Sequence, residues 1–296
     1  MNLSFKICDE NSVLSYIEDL KSIEKKILYP LENGNESFRI DHGDKYTPFF
    51  TNQGYKTRFL IIKDNDLVIG GLVGVWKKTT LNKGSLNILY IADLKLKKEY
   101  RGNGIIKKGL LYLFIRWPFS QGLQGWDFIY FCAMQKDNVG VEKAFKGLHL
   151  GKLSNLSTEF VIYMIKPEVL KRLPSKFFKK NKKINLSEKR KEDVLWNDNV
   201  KEIILAKNNE SLSLGHINPD VFSRGDGGKI KKIIKILEKR KNSLACFAID
   251  TKEKDQINIM EEIGIKKNTF CKLFTFNPFF IKPLRSANFC ISTGEI

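Results

Sequence analysis

The sequence predicts an α/β protein in two parts: a mixed, mostly antiparallel central sheet flanked by helices, then a smaller C-terminal α/β domain. Three observations lead there. Short apolar strand patterns alternate with helical periods along most of the chain. A meander of strands runs into the turn Arg101-Gly102-Asn103-Gly104, which opens a helix. A lysine- and arginine-dense stretch at 171–191, with Pro174 and few periodic apolar residues, then separates this unit from a second run of strands and helices. The 296 residues favour two domains of roughly 100–200 residues over one small core. The divisions are a first domain at 1–168, a basic linker at 169–191 and a C-terminal domain at 192–296.

Each element has its own warrant. Val13, Ile17, Leu20, Ile23 and Ile27 recur at three- and four-residue steps, which predicts a helix over 11–28 that Pro30 stops. Apolar strands at 58–63 and 67–76 flank the turn Asp64-Asn65-Asp66 and form a hairpin. Gly70, Gly71 and Gly74 in the second of these mark a bulge or a close backbone approach. A third strand covers 86–96. The helix after the glycine turn runs to about Trp117, with Ile106, Leu110, Leu113, Phe114 and Trp117 on its apolar face and Pro118 at its end. Residues 126–134 are nearly all apolar, as in a strand buried on both faces. Asp137 or Asn138 caps a helix with the face Val141, Ala144, Phe145 and Leu148, and 159–165 is another strand. In the second part, helices are expected at 191–206, 229–241 and 256–263, and strands at 212–217, 244–250 and 269–276. No clear period follows Pro278.

Composition narrows the partners. Hydrophobic residues at 42% and aromatics at 11% are those of a folded soluble protein rather than a disordered one. No apolar run reaches the roughly 18–20 residues of a membrane span, so no membrane partner is expected. The opening residues lack the charged-then-apolar plan of a signal peptide, and a cytoplasmic location is expected. Cys8, Cys132, Cys246, Cys271 and Cys290 are scattered without a CxxC pair, and His42, His149 and His216 are dispersed, so no metal site is expected. The net charge of +18 draws a polyanion such as a phosphorylated cofactor, RNA or an acidic surface. It is spread too widely to favour nucleic acid.

The glycine turn carries the chemistry. Glycines let the backbone approach a ligand, and the helix they open presents unpaired N–H groups and a positive dipole end. Together these make a pyrophosphate cradle. The spacing is neither that of a dinucleotide fold nor that of a nucleotide triphosphate loop.

With its lead-in Asp93-Leu94-Lys95-Leu96-Lys97-Lys98 and the order of elements on both sides, Glu99-Tyr100-Arg101-Gly102-Asn103-Gly104 resembles the Q/R-x-x-G-x-G/A signature of the GNAT superfamily of N-acetyltransferases. The first position departs from it, being Glu99. The resemblance covers roughly residues 3–165. It implies an acetyl-CoA-dependent N-acetyltransferase that moves an acetyl group directly to a primary amine through a tetrahedral intermediate. The acceptor is then a small-molecule or peptide amine, a lysine or an aminoacyl-tRNA. It further implies that Leu94 and Leu96 hold the pantetheine arm through strand backbone. The amides of Arg101, Gly102, Asn103, Gly104, Ile105 and Ile106 would hold the pyrophosphate, and Asn138 would touch the cofactor. The family often has a tyrosine proton donor in the helix after its fifth strand; the matching position here is Phe145, which cannot donate. Either Tyr163, Tyr130 or a water then protonates the departing thiolate, or the thiolate leaves unprotonated, or catalysis is lost.

An amine with a pKa near 10.4 is only about 0.04% deprotonated at pH 7, so a base is useful. Asp93 is the candidate base or amine anchor: it sits in the strand beside the expected thioester, with Ala92 and Leu94 on the opposite parity. Asp41, His42 and Asp44 form a second polar cluster in a loop, and Asp41 and His42 are candidates for the acceptor side. In the second part, Arg224-Gly225-Asp226-Gly227-Gly228 echoes the first glycine turn, and 244–276 echoes 128–165. The echo points to a degenerate, partial second copy, lacking most of the front half, that shapes the acceptor cleft or binds a partner. Two other classes stay open on sequence alone: a non-catalytic acyl-CoA-binding module, and an RNA-binding protein using its basic surface.

Overall fold

The first unit begins with β1 (Leu3–Cys8), a 3₁₀ turn and α1 (Ile17–Glu24). The stripe expected over 11–28 is buried at Val13, Ile17, Leu20 and Ile23, although the α-helix itself is shorter. β2 (Tyr29–Leu31), β3 (Glu36–Asp41) and α2 (Thr47–Thr51) precede β4 (Lys56–Asp64), β5 (Leu67–Leu81) and β6 (Gly84–Leu96). β4 and β5 form the expected hairpin, with Asn65 in its turn at φ +52°, a conformation that asparagine tolerates. α3 (Ile105–Arg116) crosses to β7 (Phe128–Met134), which lies parallel to β6. Then come β8 (Ser154–Ile165), β9 (Lys183–Asn185), β10 (Glu202–Leu205), β11 (Ser211–His216), α4 (Asp220–Ser223) and α5 (Gly227–Glu238). β12 (Ser243–Asp250), α6 (Lys254–Glu262), β13 (Thr269–Phe276) and β14 (Asn288–Cys290) complete the chain. This computed structural model describes all residues except 32–35, 82–83, 135–153, 179–182, 188–193, 197–200, 224–226, 242, 280, 282–283 and 285–286. Among the described residues, no helix is long and apolar enough to cross a membrane.

Twelve of the described strands share one sheet, in the order β1-β4-β5-β6-β7-β13-β8-β12-β11-β10-β3-β2, while β9 and β14 pair with each other. The order splits into two six-stranded halves that meet at β13–β8. Each half contains a strand, a crossover helix and a parallel strand: β6-α3-β7 in the first, β11-α5-β12 in the second. The strand that closes each half comes from the other. β13 pairs antiparallel with β7, and β8 pairs antiparallel with β12. The second copy is completed from elsewhere in the chain: β10 joins β11 on one side and β3 on the other, and β3 joins β2. A strand-poor segment thus closes its sheet by borrowing strands from near residue 40.

β10 corrects the helix expected at 191–206. Ile203 and Ile204 pair with Ile40 and Arg39 of β3, where β-branched side chains fit the pleat better than a helical turn. α3 also differs in detail. It buries Ile105 and Gly109, while Phe114 is 64% exposed. Gly109 lets the helix settle on Phe5, whose ring would stand 3.3 Å from a Cβ there. β7 is half-buried from Phe131 onward, not buried on both faces, because that end borders a cleft. β11, β12, β13, α5 and α6 fall within about two residues at most ends of where the periods put them.

Candidate active site

β6 and β7 diverge. They pair only from Ile88 with Phe128 to Ile91 with Phe131, although β6 runs on to Leu96 and β7 to Met134. β13 draws β7 away by pairing with Cys132, Ala133 and Met134. The wedge leaves the β6 backbone beyond Ile91 without a β7 partner. A cavity of ≈ 720 Å³ occupies it, with Ala92, Asp93 and Leu94 on one wall and Phe131 and Met134 on the other.

Asp93 sits in a bulge. The β5–β6 register jumps from Gly71 with Lys95 to Val73 with Ala92, so Asp93 and Leu94 stand across from Leu72 alone. Asp93 takes φ +52°. Glycine on β5 permits the close fit, since a Cβ on Gly70 would lie 2.4 Å from the Lys95 carbonyl oxygen. A bulge leaves one peptide group outside the ladder, and an N–H so placed can donate to an oxyanion in the wedge.

The Asp93 carboxylate belongs to a buried network. Tyr46 donates its hydroxyl to Asp93 Oδ2, and Lys95 Nζ stands 2.9 Å from the same oxygen. Lys95 also donates to Glu24 Oε2 at 2.8 Å, and that oxygen lies 2.6 Å from His42 Nδ1. The His42 amide donates to Glu24 Oε1 at 3.2 Å. None of the Glu24, Asp93 and Lys95 side chains is more than 7% exposed. An ionised carboxylate only accepts, so Glu24 holds the ring proton on Nδ1 and leaves Nε2 as the proton acceptor. Burial acts to raise the Glu24 pKa, but the hydrogen bond and charge of His42, together with the Lys95 ammonium, outweigh it and bring it down to about 2. Burial, and then the Asp93 charge, pushes the Tyr46 phenol upward, so it stays a donor. Glu24 and Asp93 thus share the one Lys95 ammonium. Glu24, His42 and Asp93 converge within 4.8 Å, a spacing at which such groups can hold a metal ion; here the Lys95 ammonium supplies the positive charge among them.

The candidates from sequence separate in space. Asp93 and His42 meet, although His42 follows β3, an outer strand of the other half. The twisted sheet carries β3 back over the wedge, so that Ile40 and His42 line the same cavity as Ala92. Asp41 stays on β3, rather than in a loop, opposite Glu202; its carboxylate accepts from the Gly43 amide at 2.8 Å and stands outside the network. Leu94 lines the cavity. Leu96 is buried under α3, and its carbonyl accepts from Arg101 Nε at 3.1 Å. Asn138 and Phe145 lie outside the described residues. Tyr163 is not at the wedge, which corrects its expected place beside the thioester. It sits on β8, the strand given to the second half, opposite Phe247 in that core, where burial raises its pKa to about 12. Tyr130 is fully buried as well, stacked on Tyr90 at 4.7 Å and donating to Glu295 Oε2 at 3.2 Å.

The glycine turn is open to solvent. Gly102 at φ +85° and Gly104 at φ +67° both take left-handed backbone, and an added Cβ would meet nothing within 4 Å at either. Gly104 caps α3 without a side-chain hydrogen bond, which leaves the amides of Ile105 and Ile106 for an anion. The donor set and the space fit a pyrophosphate. Replacing Gly104 with alanine is expected to lower stability by about 1–2 kcal/mol through φ alone, read by urea unfolding.

Sequence reasoning missed Glu24, Tyr46 and Lys95. Glu24 did carry a signal. It follows Leu20 by four residues and Ile17 by seven, which puts it on the buried stripe of α1, and a carboxylate there demands a partner.

No family model matches the sequence, and no curated protein matches it. Solved structures do. A tandem GNAT protein from the clavulanic acid biosynthesis pathway, in its form without acetyl-CoA, superposes at TM-score 0.50 with 8% identity, over 92% of this chain and 98% of that one. A candidate acetyltransferase from Pyrococcus horikoshii gives TM-score 0.47 and 15% identity, over 94% of this chain and 90% of that one. The NatC complex bound to Gag peptide and CoA gives TM-score 0.34 and 18% identity, over 56% of this chain and 90% of that one. The split β6–β7 pair, the bulge and the likeness to the tandem protein define the fold: it is that of the GNAT acetyltransferases. Its particular form is tandem, with a second copy that is partial and exchanges its closing strand with the first.

Proposed function

We propose that the chain is an acyl-coenzyme A-dependent N-acyltransferase acting on a primary amine, either a small molecule or a peptide. The observation that carries this reading is the wedge between β6 and β7, which brings the Asp93 bulge and the Glu24–His42 pair to one cavity. A bound acetyl-CoA or longer thioester supplies the activated acyl carbon. The amides of residues 101–106 would hold its pyrophosphate, and the β6 backbone at Leu94 and Leu96 its pantetheine amides. The N–H freed by the bulge donates to the carbonyl oxygen as negative charge develops there. His42 Nε2 takes the proton from the attacking nitrogen, while Glu24 orients the ring and stabilises the imidazolium. Asp93, already bonded to Tyr46 and Lys95, acts as an amine anchor rather than as the base. Tyr29 lines the cavity as a phenol that can hand a proton to the leaving thiolate and regain one from the imidazolium. The C–N bond forms, the C–S bond breaks, and the thiol leaves with one proton for the one lost by the amine. In this reading 1–168, with β8 exchanged for β13, is the acyltransferase unit; Leu170, Leu173 and Phe177 of the expected linker pack into the core of 192–296, which braces the acceptor side through β10.

Thermal unfolding with coenzyme A and acetyl-CoA tests the reading, followed by thiol release with a panel of amines. A ligand at about 100 times its Kd is expected to add about 2.7 kcal/mol of stability. No upward shift in Tm at saturating coenzyme A would remove the proposal.

A further inference from the structure

The cavity does not end at the reacting groups. Beyond Asp93 it continues between α3 and the sheet face that carries Leu72, Gly74, Trp76 and Leu89. Leu110 and Leu113 of α3 form its roof. Trp117 and Trp126, with ring centroids 5.0 Å apart, line its far part. Arg58 is the charged side chain on this branch among the described residues, and its Nη1 donates to the Thr57 carbonyl at 2.8 Å. The other charged and phenolic groups of the lining, Tyr29, His42, Tyr90, Asp93 and Glu295, gather at the opposite end.

An acetyl group does not need this space. At roughly 30 Å³ per heavy atom, the share of a water molecule in the liquid, it fills about 90 Å³. The pantetheine arm does not suit the branch either, because a wall of Leu, Ile and Trp leaves its amides without partners. An apolar void is costly to maintain unless something fills it. Gly74 helps to keep it open: a Cβ there would stand 3.2 Å from Trp76 and 3.3 Å from Leu89. The branch is also long. Four residues of β6 separate Asp93 from Leu89, about 13 Å at roughly 3.3 Å per residue. An extended chain advances about 1.2 Å per bond, a third of the rise of extended backbone per residue. The length corresponds to about ten to twelve carbons.

Resting on the acyl-transfer reading, the geometry points to a fatty acyl thioester as the donor, with an acyl chain of about ten to twelve carbons laid beneath α3. The transfer is the one written above, and the product is a fatty amide plus the free thiol.

Binding of non-reacting thioether analogues of coenzyme A, with alkyl chains from two to sixteen carbons, tests this; Trp76, Trp117 and Trp126 provide the fluorescence signal in the full chain. Affinity is expected to rise about threefold to fourfold per methylene, the equivalent of about 0.8 kcal/mol, and to level off at about ten to twelve carbons. Gly74→Leu should weaken the twelve-carbon analogue at least fiftyfold more than the two-carbon one. Leu113→Trp, which fills the same branch from the helix side, should act likewise if the first variant folds poorly. Equal affinity at every length overturns the chain assignment and leaves the coenzyme A reading intact. Failure of every coenzyme A compound to bind removes that reading, and this inference with it.

Discussion

Replacing Lys95 with methionine is expected to destabilise the fold by roughly 3–5 kcal/mol at pH 7, because it strands two buried carboxylates beside each other. Lys95 Nζ is the group between them, 2.8 Å from Glu24 and 2.9 Å from Asp93. Methionine matches the length of the side chain, so little of the loss is packing. The pH dependence separates this cause from a simple packing defect. In the native protein the Glu24 pKa is lowered from 4.5 to about 2, so its contribution is complete above about pH 4.5 and is lost as the pH falls toward 2. In the variant the stranded carboxylates take up protons more readily. The deficit relative to the native protein should therefore shrink as the pH is lowered from 7 to 4. A control is available at Lys63, which pairs at 3.6 Å with a fully exposed Asp66. Lys63→Met should cost only about 0.2–1 kcal/mol, with no such shrinkage. Urea unfolding at several pH values reads all three proteins.

His42→Ala is expected to lower kcat by a factor of about 10²–10⁴ with the true acceptor, the range for loss of a positioned general base. Coenzyme A affinity should stay within about threefold, because His42 lies by the bulge while the pyrophosphate turn opens α3. A variant that keeps kcat would show that His42 is a wall of the cavity and not the base. Glu24→Gln provides a graded check. It keeps the shape of the partner but not its charge, and should lower kcat less than loss of the imidazole itself.

Much of the fold was legible from local signals. β13 was read at its observed ends, 269–276, from its apolar run. The β4–β5 hairpin followed from Asp64-Asn65-Asp66, and the close backbone approach on β5 from Gly70, Gly71 and Gly74, but the bulge at Asp93 on β6 was not read. The elements that escaped have short or ambiguous periods. β3 and β10 are six and four residues long, and their mutual pairing spans some 160 residues of chain. The site was legible in halves. Asp93 and His42 were both named, but on separate grounds, and the two residues that join them, Glu24 and Lys95, were not singled out. Tyr163 was one of the replacements named for the tyrosine missing at Phe145. The strand exchange moves it into the other core.

By itself, then, the sequence determined the periods of its elements, the left-handed turn at Gly102 and Gly104, and the strand-turn-helix order that presents N–H groups to an anion. These depend on a few neighbouring residues and on backbone sterics. Tertiary structure alone decided which charges are buried, which half receives β8 and β13, and that His42 returns from an outer strand to meet Asp93. Alternation along a strand states which side a residue faces; it does not state which distant strand will lie against it. Here those distant pairings place the candidate site groups.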